Sequence, residues 1–285
     1  MSTRIIMLYF VATPIGNLKD ITLRALEILK KVDYIACEDT RRSLTLLYAY
    51  DIKKPLFSYH KFNEVSACEK IIDLLKEGKE IAVISDAGMP LICDPGDVLV
   101  KRLIEEGLEF TVAPGACAFT SALVLSGINE GKFFFYGFLP EKRGEIQREV
   151  EKIKDISVPV IFYCAPHDLQ KTVSYLYEFL GERKAVAVRE ITKIHEQRSE
   201  FYLSQGYSGE VKGEFVLIVQ GNGEKKAFPD NIGEHLQVYL DQGLSKNEAI
   251  KRVAKDRKVH KSEIYALFTA DAENAEENDY SVKRF

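Results

Sequence analysis

The chain reads as an α/β protein with two α/β domains, residues 1–137 and 138–228, followed by a small helical C-terminal domain, residues 229–285. Three observations predict this. Short apolar runs alternate with amphipathic stretches through the first half, the pattern of a largely parallel sheet covered by helices. Three Pro/Gly-rich loops each follow an apolar strand, and such loops let bare backbone approach a ligand at the carboxyl edge of a sheet. After residue 185 three strands adjoin without helices between them, which predicts a mixed sheet with antiparallel pairs.

In order, the first half gives strand Leu8 to Ala12, helix Thr22 to Val32, strand Tyr34 to Cys37, helix Arg41 to Tyr50, strand Leu56 to Tyr59 and helix Glu64 to Lys76. In that last helix Cys68, Ile71, Ile72 and Leu75 share one face, and Gly78 is a stop signal. Strand Ile81 to Ile84, helix Asp97 to Glu106, strand Phe110 to Ala113 and the aromatic strand Phe133 to Tyr136 complete it. Gly137-Phe138-Leu139-Pro140 and the charged residues after it read as a linker. The second half gives helix Glu145 to Lys154, strand Val158 to Tyr163, helix Leu169 to Phe179, and strands Ala185 to Arg189, Glu200 to Leu203 and Glu214 to Val219. In the tail, Ser245 and Glu248 have capping-box spacing before a helix that turns Ile250 and Val253 inward. Ser262 is placed to cap a further helix with Ile264, Leu267 and Phe268 on one side, and residues 271–285 are polar and expected to fray.

At 285 residues and 46% hydrophobic the chain can bury substantial cores, and a net charge of -4 argues against indiscriminate coating of nucleic acid. Five scattered cysteines without metal-ligand spacing fit reduced thiols in a cytoplasmic protein, with no metal implied. No apolar run approaches the roughly 20 residues that span a bilayer, so no membrane partner is expected.

The loops are Thr13-Pro14-Ile15-Gly16-Asn17-Leu18, Ser85 to Gly96, and Pro114-Gly115-Ala116-Cys117-Ala118, and their common edge predicts a shared pocket. A Walker-type lysine and a Gly-x-Gly-x-x-Gly turn are both missing, which disfavours kinase-like and dinucleotide chemistry. Glu38-Asp39-Thr40-Arg41-Arg42 sets two carboxylates beside two guanidiniums, either a helix cap with a solvated ion cluster or a proton acceptor beside a phosphate holder. His60 ends another strand, and both Arg189 to Glu196 and Pro166-His167 follow strands; each is a turn or a site. Lys246, Lys251, Arg252, Lys255, Arg257, Lys258, His260 and Lys261 form a basic stretch, a solvated helix face or a phosphate-binding module.

Taken together, Thr13 to Leu18 with Asp20-Ile21-Thr22, Glu38 to Arg41, Ser85 to Gly88 with Pro90, Asp94-Pro95-Gly96, Gly137 to Pro140, and Arg189-Glu190 with Thr192-Lys193 resemble the ribosomal small-subunit methyltransferase I family of the tetrapyrrole-methylase-like superfamily. The similarity runs in order from about Tyr9 to Gly221 and continues into the tail. The resemblance implies S-adenosylmethionine in a cleft between two α/β domains, a homodimer, and 2'-O-methylation of a decoding-centre cytidine of 16S rRNA, within the small ribosomal subunit. It implies cofactor contacts at Gly88, Met89, Cys117, Ala118, Tyr163 and Cys164, with Asp86, Ala87, Pro90 and Gly115 completing the set and Pro14 and Gly16 beside the transferred methyl. The family usually has Thr at Met89, His at Phe62 and Pro at Ala116, and Glu and Arg at Cys164 and Asp168.

Transfer to a ribose hydroxyl requires alignment and removal of a proton. Asp39 or His60 is expected to take that proton, with Glu38 behind them, while Arg41, Arg42, Arg189, Lys251, Arg252, Lys255, Lys258 and Lys261 meet RNA. A 2'-hydroxyl target makes DNA a poor substrate. Two alternatives stand beside this reading: methylation of a small tetrapyrrole-like acceptor, and a non-catalytic cofactor-binding protein of ribosome assembly.

Overall fold

The computed structural model describes residues 6–128, 131–223, 229, 231–257 and 259–265. They divide into two compact units, Met1–Gly223 and Glu224–Phe285.

The larger unit holds two five-stranded sheets. The first contains β1 (Leu8–Val11), β2 (Tyr34–Cys37), β3 (Leu56–Ser58), β4 (Ile81–Ile84) and β5 (Phe110–Ala113), all parallel in the order β3-β2-β4-β1-β5. Helices α1 (Leu23–Lys31) and α2 (Thr40–Ala49) cover one face, and α3 (Glu64–Lys76) and α4 (Asp97–Glu105) the other. Cover on both faces explains why β4 is apolar and buried throughout rather than alternating. Thr22 starts α1 by accepting the Ala25 N–H at 3.1 Å, satisfying one orphan donor of the first turn. The strand order reverses between β4 and β1, so a crevice opens at their carboxyl ends.

The second sheet contains β6 (Phe134–Phe138), β7 (Val160–Cys164), β8 (Lys184–Arg189), β9 (Gln197–Tyr202) and β10 (Phe215–Val219) in the order β6-β7-β10-β8-β9. Only the β6–β7 pair is parallel. α6 (Arg143–Ile153) and α7 (Leu169–Leu180) pack on one face of this sheet. Its other face is covered by α5 (Ala118–Ser126), a helix that the sequence reading missed. Ala122 and Leu123 pack there against Ile161, Val186, Val188, Val216 and Ile218. Because α5 is mostly apolar on every side, it shows little of the periodicity that marks an amphipathic helix.

β6 runs across residue 137, where a linker is expected from sequence, and Gly137 at φ +85° carries a bulge there. A Cβ at this glycine would stand 2.9 Å from the Cys93 sulfur, so the long loop after β4 lies against β6. β9 begins earlier than expected, at Gln197, because its charged residues occupy a sheet edge, where charge blunts further pairing.

The smaller unit packs α8 (Ile232–Asp241), α9 (Lys246–Arg257) and helical residues 261–265 around Leu236, Tyr239, Ile250, Val253 and Ile264. Glu248 accepts from the Ser245 N–H at 3.2 Å and also from the Ser245 hydroxyl at 2.6 Å. The serine therefore donates to the glutamate rather than accepting from backbone. Ser262 lies inside the next helix, whose start is closed by Glu263 accepting the His260 N–H at 3.2 Å. Leu267, Phe268 and residues 271–285 lie outside the described residues.

Candidate active site

The three Pro/Gly loops meet at the carboxyl edge of the first sheet. Thr13 and Gly88 form a two-way backbone bridge, N–H to O at 2.9 and 3.1 Å, which ties the loop after β1 to the loop after β4. The Thr13 hydroxyl donates to the Ser85 carbonyl at 3.2 Å and the Ser85 hydroxyl to the Gly88 carbonyl at 3.2 Å. Gly88 has φ +83°, a conformation that side chains resist, and a Cβ there would stand 3.3 Å from Ile15. The third loop closes on the first through Gly115, whose Cβ would meet Ala12 at 2.9 Å.

A strap from the second sheet reaches the same edge. Glu190 and Thr192 have φ +49° and +68°, strained values for residues with side chains. The Thr192 hydroxyl donates to Asp20, and the Lys193 ammonium pairs with Glu190 at 2.8 Å and Glu214 at 3.0 Å.

Between these loops and the second sheet lies a cavity of about 430 Å³. Glu38, Asp86 and Asp94 give it an acidic wall; Met89, Phe138, Tyr163, Ile191 and Val216 give it an apolar one. Asp86 is held by Arg42 at 3.0 Å and accepts the Asp39 N–H at 3.1 Å. Burial, then the nearby Asp86, raises Glu38 above the usual carboxylate range, while Arg42 and His60 pull it back. Burial first and Glu38 second push Asp94 up to about 6. Burial also pushes the Cys164 thiol up to about 12 and raises Tyr163 and Cys93.

S-adenosylmethionine fits this wall chemistry. A purine needs apolar sides and close backbone, supplied by Tyr163, Met89 and the Gly88 turn, and a sulfonium with its ammonium needs negative charge, supplied by Glu38 and Asp86. The volume falls within the usual range for a small-molecule site.

Of the twelve cofactor residues expected, Asp86, Ala87, Gly88, Met89, Cys117, Ala118, Tyr163 and Cys164 line the cavity. Pro14, Gly16, Pro90 and Gly115 stand behind it as loop supports, Pro90 buried and Gly16 beneath the Lys193 stem. Of the three candidate bases, Glu38 lines the cavity; Asp39 and His60 do not. Asp39 is the N-cap of α2, accepting the Arg41 N–H at 2.9 Å and pairing with the Arg41 guanidinium at 3.0 Å. Those bonds hold its carboxyl down at about 2, which makes it a weak base. His60 meets exposed Phe62 edge-on at 6.1 Å, and its buried Nδ1 has no hydrogen-bond partner among the described residues.

Arg41 and Arg42 are exposed, and Arg42 also lines the cavity. Arg189, expected to meet RNA, is buried, donating to the Lys212 carbonyl at 2.6 Å and pairing with Glu210 at 2.9 Å. Lys251, Arg252 and Lys255 are exposed on α9, Lys261 is half-buried, and Lys258 lies outside the described residues. The sequence reading missed Asp94, Phe138, Ile191 and Glu214 as lining residues; the Asp94-Pro95-Gly96 motif was the available signal for the first.

The family model of the tetrapyrrole (corrin/porphyrin) methylases matches residues 7–204. A Bacillus subtilis (strain 168) protein named ribosomal RNA small subunit methyltransferase I is 43% identical over 273 residues, covering 92% of this chain and 94% of that protein. A Thermotoga maritima protein of the same name is 43% identical over 219 residues, 75% of this chain and 98% of the relative. Among solved structures, uroporphyrin-III-C-methyltransferase from Thermus thermophilus superposes with a TM-score of 0.55 at 18% identity, covering 75% of this chain and 94% of that one. The methyltransferase CobJ superposes with a TM-score of 0.58 at 16% identity, covering 76% and 94%. These two likenesses establish the fold.

Proposed function

The chain belongs to the tetrapyrrole methylase family and, within it, to the ribosomal RNA small subunit methyltransferases I, and on that premise we propose that it methylates the ribose 2'-oxygen of a decoding-centre cytidine in 16S rRNA. It is an S-adenosylmethionine-dependent methyltransferase. The observation that carries the reading is the cavity itself, with acidic and apolar walls converging at the switch point of the first sheet.

The bound cofactor supplies an already activated methyl group, which leaves the protein to position the acceptor and take up one proton. Gly88, Met89, Cys117, Ala118, Tyr163 and Cys164 hold the cofactor in this reading, and the Thr13–Gly88 bridge fixes the loop that presents it. Arg41 and Arg42, exposed at the start of α2, meet RNA phosphate and keep the acceptor in line. Fixed alignment of this kind can supply up to about 7–11 kcal/mol of the barrier. The proton goes to a carboxylate of the cavity rather than to Asp39 or His60. The exposed cations of α9 add charge-dependent affinity, the substrate is the small ribosomal subunit in the cytoplasm, and the working form is a homodimer.

The test is transfer of labelled methyl to small subunits from a strain lacking the modification, followed by mapping of the product. Label on one decoding-centre cytidine as its 2'-O-methyl ether supports the reading. Label elsewhere, or none despite cofactor binding, overturns it.

A further inference from the structure

We propose that Asp94 is the catalytic residue that accepts the proton of the acceptor hydroxyl, with Glu38 as a positioning neighbour that keeps it receptive. The proposal rests on the methyl-transfer reading above.

Four carboxylate residues line the cavity, and their partners differ: Glu214 is paired with Lys193 at 3.0 Å. Asp86 is occupied by Arg42 and by the Asp39 N–H. Among the described residues, neither Glu38 nor Asp94 has an ion-pair partner. Glu38 has Arg42 and the His60 ring near enough to favour its charge. Asp94 has no cation in that role: the groups facing it are Glu38, Asp86, the Ser85 hydroxyl, the Cys93 thiol and the Tyr163 phenol. Of the two, Asp94 has the more uniformly negative surroundings.

The backbone around Asp94 holds it in place. Leu91 and Cys93 have φ +69° and +65°, and Gly96 has φ +152°. The Leu91 side chain fills the space where a Gly96 Cβ would stand, Cys93 rests against Gly137 of β6, and the Gly96 N–H donates to Glu64 at 2.9 Å. Strained turns persist only where surrounding structure over-determines them. This one fixes a half-buried carboxylate between the loop after β4 and the second sheet.

The chemistry balances. The O2'–CH₃ bond forms as the CH₃–S bond breaks, the bonding pair stays on sulfur, and the hydroxyl proton passes to Asp94 and later to water. Asp94, held at about 6, is charged at neutral pH and a stronger base than an ordinary aspartate.

The experiment follows single-turnover transfer to small subunits from about pH 5 to about pH 8, and in parallel S-adenosylhomocysteine binding by calorimetry. Asp94→Asn should slow transfer roughly 10²- to 10⁴-fold while the binding constant stays within about threefold. Asp94→Glu should recover part of the rate. In Glu38→Gln, loss of a neighbouring negative charge should move the acid limb of the rate profile to lower pH. An Asp94→Asn enzyme with the wild-type rate and acid limb, or one whose binding falls as far as its rate, overturns the assignment. Absence of transfer by the wild-type enzyme overturns the methyl-transfer reading, and this proposal with it.

Discussion

Lys193 lies across Gly16, with its Cγ 2.5 Å and its Cε 2.6 Å from where a Cβ on Gly16 would stand. One residue comes from the loop after β1 and the other from the strap after β8, so this contact sets the spacing of the two sheets at the pocket edge. Gly16 also has φ +150°, where a side chain is strained. Gly16→Ala should therefore lower stability by about 1–3 kcal/mol and weaken S-adenosylhomocysteine binding. Urea unfolding and calorimetry read the two effects. Adding Lys193→Ala should return part of the loss, because the steric half of the conflict is removed and the backbone half is not.

The parallel sheet was legible in the sequence for the reason that makes it stable: strands covered on both faces become short all-apolar runs such as Ile81–Ile84. α5 was not, since a helix wedged beside a sheet with exposed Val124 and buried Leu123 carries no clean stripe. The pocket loops were legible through Pro and Gly. The role of single charges was not, because burial is set by residues far along the chain. Arg189 reads as surface charge yet is covered by Lys212 and Glu210, while Asp94 reads as a turn residue yet faces a wall containing Tyr163 and Phe138.

Asp39 is a cap, and its removal should show in stability before it shows in chemistry. Asp39→Ala should lower the thermal midpoint measurably and Asp39→Asn less, since the amide keeps an acceptor for the Arg41 N–H. The folded-state carboxyl lies below its ordinary range, at about 2. Its contribution is thus present above the ordinary range and lost as pH falls toward about 2. Urea titrations should find wild type and Asp39→Asn separated at neutral pH and converging through that window. Single-turnover methyl transfer should stay within a few-fold of wild type, and a loss of several hundred-fold would return Asp39 to the catalytic set.

Cys93, Cys117 and Cys164 all line the cavity. Burial raises the Cys93 thiol, with Asp94 adding to it, and pushes the Cys164 thiol up to about 12. Because the thiolate is the nucleophile, Cys93 and Cys164 should react with iodoacetamide at neutral pH far more slowly than an ordinary thiol. Their rates should climb as pH rises. S-adenosylhomocysteine should slow labelling at all three positions, read by peptide mass spectrometry. Unprotected Cys164 would mean that the ligand sits elsewhere.

The smaller unit offers a charge-based prediction. On α9, Ala249, Ile250, Val253 and Ala254 are buried against its core, while Lys251, Arg252 and Lys255 are exposed. Two nearby acids are engaged: Glu248 with Ser245, and Asp256 with Tyr239. Lys251 and Lys255 are therefore open to phosphate, and Arg252, which also reaches the Tyr239 hydroxyl, lies beside them. Each phosphate contact contributes about 0.7 to 0.9 to the slope of log affinity against log salt. Replacing Lys251, Arg252 and Lys255 by Ala together should lower that slope by about 2 to 3 for binding to small subunits. The single-turnover rate at saturating subunits should hold, since every residue lining the cavity lies in Met1–Gly223. An unchanged slope would make these cations a solvated helix face, and a fall in the saturated rate would place them in orienting the acceptor rather than in attracting it.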